Sequence, residues 1–445
     1  MIPPLCDVSY GENTKLPQDI RFSSAPATTI RNMESWQKPA LAPLEGHGKP
    51  LRLYDTPSGG LRNPLHHDQR SATMYVCGIT PYDATHIGHA ATMLTFDLVH
   101  RYWLDLGIDV HYVQNVTDVD EPLFERADRD QEDWRVLGLR ETALYREDME
   151  ELSILPPHDF VSAIDSIPDV GEAVGAMLTS GAAYRHPDND GDIYFDTAYT
   201  GNFGYQSQYS ESTMLTFAAE RGGDPKREGK KDPLDPKVWN GPRKGEPAWE
   251  SPVGEGRPGW HIECTVIARK YLGDSIDLQG GGNDLIFPHH ESSIAHAEAL
   301  SGKHPFASCY THTGMIGLDG EKMSKSLGNL VFVSRLRADK VNPNAVRVAL
   351  FAGHYRDDRQ WTAEGLQLAH QRLEAWTRAC ESGTGANGTA VVNEVRDHLS
   401  NDLDTPAALE AIDRWATETV AGAGTDPESP ALVRKMLSSL LGVTC

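Results

Sequence analysis

One stretch of the chain, residues 75–91, constrains the possible fold more than any other. It begins with a short apolar run that ends in Cys77-Gly78, continues through a polar turn, and leads into apolar residues at helical spacing as far as Gly107. Residues 110–116 then have the composition of a second strand. This pattern predicts a β-α-β unit in which the loop after the first strand opens onto a helix N-terminus.

The loop of this unit ends in His86-Ile87-Gly88-His89, here called the HIGH motif. A helix N-terminus has free backbone N–H groups and a partial positive charge, and two imidazoles add donors for a phosphate group. An isolated pair of histidines with this spacing is usually a pair of exposed residues. A second segment, Lys322-Met323-Ser324-Lys325-Ser326 or the KMSKS motif, favours the phosphate interpretation, since two lysines on a flexible loop suit a leaving pyrophosphate.

The remaining chain contains further strand and helix signals. Helical spacing covers roughly residues 120–181, and Gly, Pro, Asp and Lys dominate from there to residue 259 apart from a strand-like piece at 193–195. A buried strand is expected at 276–278, with Gly280-Gly281-Gly282 as its exit. Asn342-Pro343 and Thr405-Pro406 predict helix starts, because each pairs a capping side chain with a proline suited to the first helical position.

Composition excludes several classes of protein. The 445 residues carry a net charge of -23, from 41 basic and 64 acidic residues, which disfavours an extended nucleic-acid surface. No run of about 18 apolar residues and no signal-peptide pattern is present, so we expect a cytoplasmic protein without a membrane span. The six cysteines are scattered and lack CxxC spacing, which fits a reducing compartment better than a disulfide framework.

In this order, and in an α/β chain, the HIGH and KMSKS motifs resemble the paired signature of class I aminoacyl-tRNA synthetases. The resemblance implies an α/β fold with a class I synthetase-type Rossmann catalytic domain, an inserted connective segment and a C-terminal helical bundle. We therefore expect a disordered extension at 1–32, the two halves of the catalytic domain at 33–180 and 259–330, the inserted segment at 181–258, and a helical linker with the bundle at 331–445.

Cys264 and His289 extend the resemblance to the cysteine-activating branch of the class I enzymes, whose zinc ligands match Cys77, Cys264 and His289. Two cysteines and a histidine far apart in sequence are weak evidence for a metal by themselves, because a lone buried cysteine is usually a small hydrophobic residue. The resemblance implies one zinc ion per chain. Three protein ligands would leave its fourth position open for a substrate thiolate, which separates cysteine from serine.

Two features point away from the cysteinyl-tRNA synthetases within this branch. Those enzymes typically carry a glutamate four residues after the zinc histidine, where this chain has Ser293. The sequence ITPYDATHIGHAA and the ERGGDP motif, Glu220-Arg221-Gly222-Gly223-Asp224-Pro225, resemble another family, the ATP-dependent ligases that join cysteine to glucosaminyl-inositol in mycothiol biosynthesis. Gly-Gly-Asp-Pro by itself is a common surface turn.

The resemblance to these ligases implies a role for each matching residue. His86, His89, Lys322 and Lys325 would steady the triphosphate and the departing pyrophosphate. The pocket for ATP and cysteinyl-adenylate would be lined by Cys77, Gly78, Ile79, Thr80, Thr92, Asn115, Val116, Thr117, Trp260, Gly282, Asn283, Asp284 and Ile316. The six residues of the ERGGDP motif are candidates for the sugar site.

The implied reaction has two halves. The carboxylate of cysteine attacks the α-phosphate of ATP, and the amine of glucosaminyl-inositol then displaces AMP. The expected partners are L-cysteine, ATP and glucosaminyl-inositol, bound by a monomer that takes no tRNA, with Mg²⁺ accompanying ATP and no protein ligand for it identified. Asp83 and Glu263 are candidate general bases by position alone. For His290 three roles stay open: contact with ATP, replacement of His289 on zinc, or support of the site.

Two other functions stay open at this point. The first is a cysteinyl-tRNA synthetase lacking the usual anticodon-binding tail, although residues 361–445 carry 6 basic and 12 acidic residues, a net charge of -6 that suits tRNA poorly. The second is a non-catalytic relative that senses cysteine or ATP. Such relatives usually lose residues of the HIGH or KMSKS motif, and both motifs are intact here.

Overall fold

A five-stranded parallel sheet lies at the centre of the protein, as seen in a computed structural model that describes residues 33–318, 320–323 and 328–445. In chain order, the strands of these residues are β1 (Leu53–Asp55), β2 (Gly60–Arg62), β3 (Ser71–Ile79), β4 (Asp109–Val116), β5 (Asp159–Ser162), β6 (Ala183–Arg185), β7 (Ile193–Phe195), β8 (Lys237–Asn240), β9 (Arg257–Pro258), β10 (Ile276–Gly282), β11 (Ala307–Thr313), β12 (Ile316–Leu318), β13 (Glu321–Lys322) and β14 (Arg359–Trp361). The helices are α1 (Ile87–Asp105), α2 (Glu121–Asp130), α3 (Trp134–Glu151), α4 (Ala163–Ser180), α5 (Glu211–Glu220), α6 (Trp260–Leu272), α7 (Glu291–Ser301), α8 (Val333–Ala338), α9 (Pro343–Phe351), α10 (Ala363–Cys380), α11 (Gly388–Ser400), α12 (Thr405–Val420) and α13 (Ser429–Met436).

The central sheet has the strand order β11-β10-β3-β4-β5, and every neighbouring pair is parallel. From β3 the chain runs outward through β4 to β5, and then crosses back to add β10 and β11 on the other side of β3. This reversal between β3 and β10 is the topological switch point of a doubly wound sheet. The predicted α/β class and the predicted β-α-β unit at its start are confirmed.

Two strands of this sheet differ from the sequence prediction. β5 lies inside the region that was predicted as helical, since four residues between two long helices leave little periodic signal. β10 continues through the three glycines that were predicted to end it. A Cβ atom at Gly280 would lie 2.2 Å from the ring of Phe96, so the strand needs glycine where α1 crosses it closely.

The segment between α4 and α6 forms a separate antiparallel sheet, with the order β6-β7-β8-β9. Helix α5 lies within this segment and ends at the ERGGDP motif. The sequence-predicted strand at 193–195 is β7. The segment therefore differs from the parallel sheet in strand direction as well as in composition.

The C-terminal region is helical from α8 onward, apart from β14. Aromatic residues of α1 and of the C-terminal helices, including Phe96, Trp103, Trp376 and Trp415, belong to one apolar cluster. Asn342 caps α9 as predicted, whereas α12 is capped by Asp404 instead of Thr405. The expected extension at 1–32 lies outside the described residues.

Within the described residues, no helix combines the length and the apolar composition that crossing a membrane requires.

Candidate functional site

A cavity of about 830 Å³ opens where β3 and β10 end. Because these parallel strands lie on either side of the switch point, their carboxyl ends form the crevice in which doubly wound folds bind ligands. Most of the predicted site residues line this cavity: Cys77, Gly78, Ile79, Thr80, His86, His89, Thr92, Glu220, Arg221, Gly222, Gly223, Asp224, Trp260, Gly282, Asp284 and Ile316. Residues far apart in the sequence thus share one cavity.

Cys77, Cys264 and His289 form a buried cluster beside this cavity, with ligand atoms that all lie within 4.8 Å of one another. The Sγ atom of Cys264 lies 3.9 Å from Sγ of Cys77 and 3.3 Å from Nε2 of His289. Cys77 comes from β3, Cys264 from α6, and His289 from the turn Ile286–His290 before α7. Two sulfurs and one imidazole nitrogen are a donor set that suits Zn²⁺, so the cluster fits a metal with three protein ligands.

The two thiols of the cluster have pKa values shifted in opposite directions. The hydrogen bond between the sulfurs, together with burial, raises the pKa of Cys77 well above its usual value. The same hydrogen bond, with the neighbouring His289, lowers the pKa of Cys264 well below the usual value. The lowered pKa favours the thiolate of Cys264, which is the form of cysteine that binds metals.

His261 and Trp260 contact the imidazole of His289. Nδ1 of His289 lies 3.1 Å from Nδ1 of His261, which directs the other ring nitrogen toward Cys264. Burial lowers the pKa of His261 well below its usual value, so this ring is neutral at neutral pH. The ring centroid of Trp260 lies 4.6 Å from that of His289, and Trp260 also lines the cavity.

Two further histidines, His290 and His312, form a hydrogen-bonded chain that begins at Cys77. Nε2 of His290 lies 3.2 Å from Sγ of Cys77, and Nδ1 of His290 lies 2.7 Å from His312, which in turn lies 2.7 Å from Thr56. His290 does not line the cavity, which argues against contact with ATP, and the cluster of converging ligand atoms contains His289 instead, so of its three open roles the geometry favours support of the site. Ser293 donates its hydroxyl hydrogen to the backbone carbonyl of His290 at 3.2 Å and is used within its own helix.

The HIGH motif forms the first turn of α1. His86 is the N-cap, and its Nδ1 accepts hydrogen bonds from the backbone N–H groups of Gly88 at 3.1 Å and His89 at 3.4 Å. The two imidazole rings stack with centroids 3.7 Å apart. Because Nδ1 of His86 is an acceptor, its ring hydrogen is on Nε2. The cap thus occupies two backbone donors that the sequence analysis assigned to a phosphate.

The KMSKS motif is only partly described. The backbone of Lys322 ends β13, and Lys325 lies outside the described residues. Beyond this gap the chain returns to the HIGH motif, where the N–H of Ile87 donates to the carbonyl of Val331 at 2.8 Å and that of Val333 donates to Thr85 at 2.9 Å. The backbone that follows the KMSKS motif is therefore bound to the start of α1.

Residues 115–117 lie behind the cavity wall instead of on it. Oδ1 of Asn115 accepts from the backbone N–H of Gly78 at 3.0 Å and from the hydroxyl of Tyr75 at 3.1 Å, and its Nδ2 donates to Thr117 at 3.0 Å. A Cβ atom at Gly78 would lie 1.7 Å from the carbonyl oxygen of Asn115. The close approach of β3 and β4 thus needs glycine here, and Asn115 positions the wall.

Gly282, the last residue of β10, and Asp284 of the loop after it both line the cavity. Asn283 does not line the cavity and instead donates to Asp358 at 3.5 Å. Thr92 of α1 lies across from this loop, with its hydroxyl oxygen 2.8 Å from that of Thr313 at the end of β11.

The first five residues of the ERGGDP motif line the cavity, and Pro225 does not. Arg221 is bound to backbone carbonyls of the loop after β10. Asp224 accepts hydrogen bonds from the hydroxyl of Tyr194 and from Nζ of Lys230 at 3.1 Å. Glu220 is exposed and lines the cavity, whereas Arg221 and Asp224 are bonded to other parts of the protein. The Glu220 carboxylate is therefore accessible from the cavity.

Four acidic residues of the cavity were not singled out by the sequence analysis: Asp120, Glu121, Glu125 and Asp235. Among its described lining residues, seven are acidic (Asp120, Glu121, Glu125, Glu220, Asp224, Asp235 and Asp284) and three are basic (Arg221, Lys230 and Lys237). The three basic side chains are all engaged with protein oxygens. The sequence could have indicated Asp120 through its position. Asp120 closely follows β4, and a residue there lies at the same sheet edge as Cys77.

Neither sequence-predicted general base lines this cavity. Asp83 lies 3.8 Å from Arg126, in a different pocket. Glu263 is fully buried on α6, where burial raises the pKa of its carboxyl well above the usual value. Asp120 does line the cavity, caps α2 through the N–H of Glu121 at 2.9 Å, and has a pKa raised chiefly by burial.

Comparison with known proteins shows the family to which this chain belongs. Residues 64–371 match the model of the family described as tRNA synthetases class I (C) catalytic domain. The Mycobacterium tuberculosis methionyl-tRNA synthetase bound to methionyl-adenylate superposes with a TM-score of 0.60 at 17% identity, covering 84% of this chain and 92% of that chain. At this identity the likeness concerns the fold alone, and it confirms the predicted class I synthetase-type fold.

Curated relatives share a much larger part of the sequence. The Saccharomonospora viridis protein named L-cysteine:1D-myo-inositol 2-amino-2-deoxy-alpha-D-glucopyranoside ligase is 60% identical to this chain. The match covers 92% of this chain and 100% of that protein. The relative of that name in Mycobacterium sp. is 57% identical over 92% of this chain and 99% of its own length. The chain therefore belongs to the class I (C) tRNA synthetase catalytic-domain family and, within it, to the family of these cysteine ligases.

Proposed function

We propose that this protein joins L-cysteine to the amine of glucosaminyl-inositol, in an AMP-forming ligation of mycothiol biosynthesis. The observation that carries the proposal is one cavity that is lined by Cys77 of the metal cluster, by the HIGH motif and by the ERGGDP motif. Such a cavity has room for a cysteinyl-adenylate and for an acceptor beside it. The names of the relatives at 60% identity specify the same pair of substrates.

The first half-reaction is adenylation of cysteine. A carboxylate oxygen of cysteine attacks the α-phosphorus of ATP, and the bond from that phosphorus to the bridging oxygen of pyrophosphate breaks. The Nε2–H group of His86 and the imidazole of His89 would donate hydrogen bonds to the phosphates, and Lys322 and Lys325 would neutralise their charge. Gly282 ends β10 at the switch point and Asp284 follows it, where the Asp284 carboxylate would bind ribose hydroxyls.

The cluster of Cys77, Cys264 and His289 would hold one Zn²⁺ ion. When bound, zinc would supply an open coordination position for the thiolate of substrate cysteine, a ligand that it prefers to the hydroxyl of serine. Trp260 lines the cavity beside His289 and would close an apolar wall around this small side chain. Mg²⁺ would accompany ATP, as synthetase-type chemistry implies.

In the second half-reaction the acceptor amine attacks the carbonyl carbon of the adenylate, the bond to the phosphate oxygen breaks, and AMP leaves. The amine must lose a proton, and Asp120 is the carboxylate with a raised pKa that lines the cavity. We assign it as the proton acceptor. The excess of acidic lining residues would attract a cationic amino sugar.

The ERGGDP end of the cavity is the proposed sugar site. Glu220 is accessible there, and its carboxylate would accept hydrogen bonds from sugar or inositol hydroxyls. The proposal includes a monomeric protein that needs no tRNA.

The direct test is AMP formation from ATP and cysteine, with glucosaminyl-inositol in one reaction and tRNA in another. We expect turnover with the sugar alone, and no acceleration by tRNA. Replacing cysteine by serine is the control for the amino acid, and it should abolish AMP release in both reactions. Turnover that depends on tRNA would contradict the proposal and favour a cysteinyl-tRNA synthetase.

A further inference from the structure

The loop between β10 and α7 carries groups for two parts of the site, since Asp284 lies at the proposed nucleotide end and His289 in the metal cluster. It consists of a short turn, Asn283–Leu285, and the irregular turn Ile286–His290, in which Phe287 has extended backbone angles. Neither turn belongs to a sheet, and the extended backbone of Phe287 interrupts the helical geometry before the chain continues through His290 into α7. The position of both groups therefore depends on what the loop contacts.

Arg221 of the ERGGDP motif binds this loop directly. Its Nη1 group donates to the backbone carbonyl of Asp284 at 2.5 Å and to that of Phe287. The guanidinium also lies over the ring of Phe217, 4.1 Å from the centroid, which fixes its direction. One cationic side chain thus joins the end of α5 to two carbonyls of the loop, through hydrogen bonds strengthened by its charge.

Other contacts from the same inserted segment reinforce this attachment. The side chain of Phe287 is 1% exposed and packs against Met214 and Ala218 of α5. Just after the loop, the two carboxylate oxygens of Glu291 accept from the backbone N–H groups of Gly204 and Ser207, each at 2.7 Å. The inserted segment therefore holds the loop on both sides of His289.

We propose that Arg221 is a positioning residue for the metal cluster and the nucleotide site, acting through the loop after β10. The guanidinium sets the loop so that His289 meets the two cysteines and Asp284 faces the nucleotide. Its effect is therefore on adenylation, the half-reaction that needs no sugar. This inference rests on the proposed function for the zinc ion and for the order of the two half-reactions.

Three variants of the full-length, zinc-loaded protein test the proposal. Arg221→Met removes the charge and all donors while keeping much of the side-chain volume. Arg221→Lys keeps the charge and can donate to one carbonyl but lacks the planar fork. Lys226→Met is the matched control, because Lys226 is an exposed cation of the same segment that does not line the cavity.

Zinc retention is measured first, by transfer of the metal to a chromogenic chelator without substrates and well below the melting temperature of each variant. We expect zinc to be lost about 10- to 100-fold more readily from Arg221→Met than from the unmodified protein, the range found for groups that orient metal ligands. Arg221→Lys should fall between the two. Lys226→Met should retain zinc like the unmodified protein, which separates loop positioning from a loss of positive charge.

Cysteine-dependent exchange of pyrophosphate into ATP is measured next. Arg221→Met should slow exchange and raise the KM for ATP, whereas the KM for glucosaminyl-inositol in the complete reaction should change little. Unchanged zinc retention and exchange, with only the sugar KM raised, would overturn the proposal and make Arg221 a sugar ligand. If the unmodified protein exchanges pyrophosphate but rejects the sugar, the proposed function fails, while retention and exchange still decide the role of Arg221.

Discussion

At the scale of single residues, cysteines in different environments differ in their contacts and in their pKa values. Cys77 and Cys264 lie in the cluster with His289. Cys309 on β11 is equally buried, but burial raises the pKa of its thiol to about 12, and a hydroxyl of Thr311 lies 3.5 Å from its sulfur. Burial alone therefore does not distinguish a candidate metal ligand, whereas the convergence of three donor atoms does.

Removing either cluster cysteine should remove the metal. Cys77→Ala or Cys264→Ala leaves two protein ligands, so we expect loss of bound zinc and of cysteine-dependent pyrophosphate exchange. Zinc content of the purified variants, measured by elemental analysis, checks this. Cys309→Ala is the control and should retain one zinc per chain. A full equivalent of zinc in Cys77→Ala would show that the ligand assignment is wrong.

Asp120→Asn should separate the two half-reactions. The amide cannot take up a proton, so transfer to glucosaminyl-inositol should slow by about 100-fold or more, while pyrophosphate exchange stays near normal. The carboxylate works only when ionised, and its pKa is raised by burial. In the unmodified protein, transfer should therefore fall as the pH drops through this raised pKa, above the usual aspartate value of about 4. Equal slowing of both half-reactions would contradict the assignment.

At the scale of elements, the helix ends are set by single side chains that the sequence pattern located only in part. Asn342 caps α9 with Pro343 at the first helical position, as its sequence predicts. At α12 the same type of pattern predicted Thr405, but the cap is Asp404, whose carboxylate accepts from the N–H of Ala407 at 3.2 Å. Two adjacent residues with capping side chains cannot be ranked by pattern alone.

Asp404→Ala should lower the free energy of unfolding by about 1 kcal/mol, the usual cost of losing an N-cap. Thr405→Val keeps the shape of a buried side chain and removes only its hydroxyl, so it should cost less. Urea denaturation of both variants, with unchanged dependence on denaturant, measures the difference. The reverse order of stabilities would mean that Thr405 is the cap.

At the scale of the whole molecule, a buried charge network joins the central sheet's first helix to the C-terminal region. Asp97 of α1 accepts from Arg101 at 2.8 Å and from Arg347 of α9 at 2.6 Å. Arg347 also donates to the backbone carbonyl of Leu441. Burial opposes ionisation of Asp97, but the two arginines outweigh it and lower the pKa of this carboxyl below its usual value.

Arg347→Met should destabilise the protein by about 3–5 kcal/mol, because it leaves a buried charge without one partner. A lowered carboxyl pKa stabilises the folded state fully above the unfolded value of about 4, and this stabilisation is lost as the pH falls through the lowered pKa of Asp97, so the difference from the unmodified protein should shrink over that range. Thermal or urea unfolding at neutral and acidic pH tests this. Arg335→Met is the control, since its partner Asp339 is exposed and no measurable change is expected.

The sequence by itself determined the features that depend on neighbouring residues or on a motif. The unit from β3 to β4, the start of α9 and strand β7 follow from periodicity, capping and composition over a few residues. The set of Cys77, Cys264 and His289 followed from resemblance, and the structure brings these three side chains together.

Only the tertiary structure decided which distant segments meet. Strand β5 forms because a vacant edge of β4 pairs with it, and Asp120 enters the site because β4 ends beside β3. Arg221 belongs to a motif visible in the sequence, yet its partners are backbone carbonyls, which every residue carries and no motif can mark. Its role follows from the packing of α5 against the loop after β10, and that contact depends on the fold of the whole inserted segment.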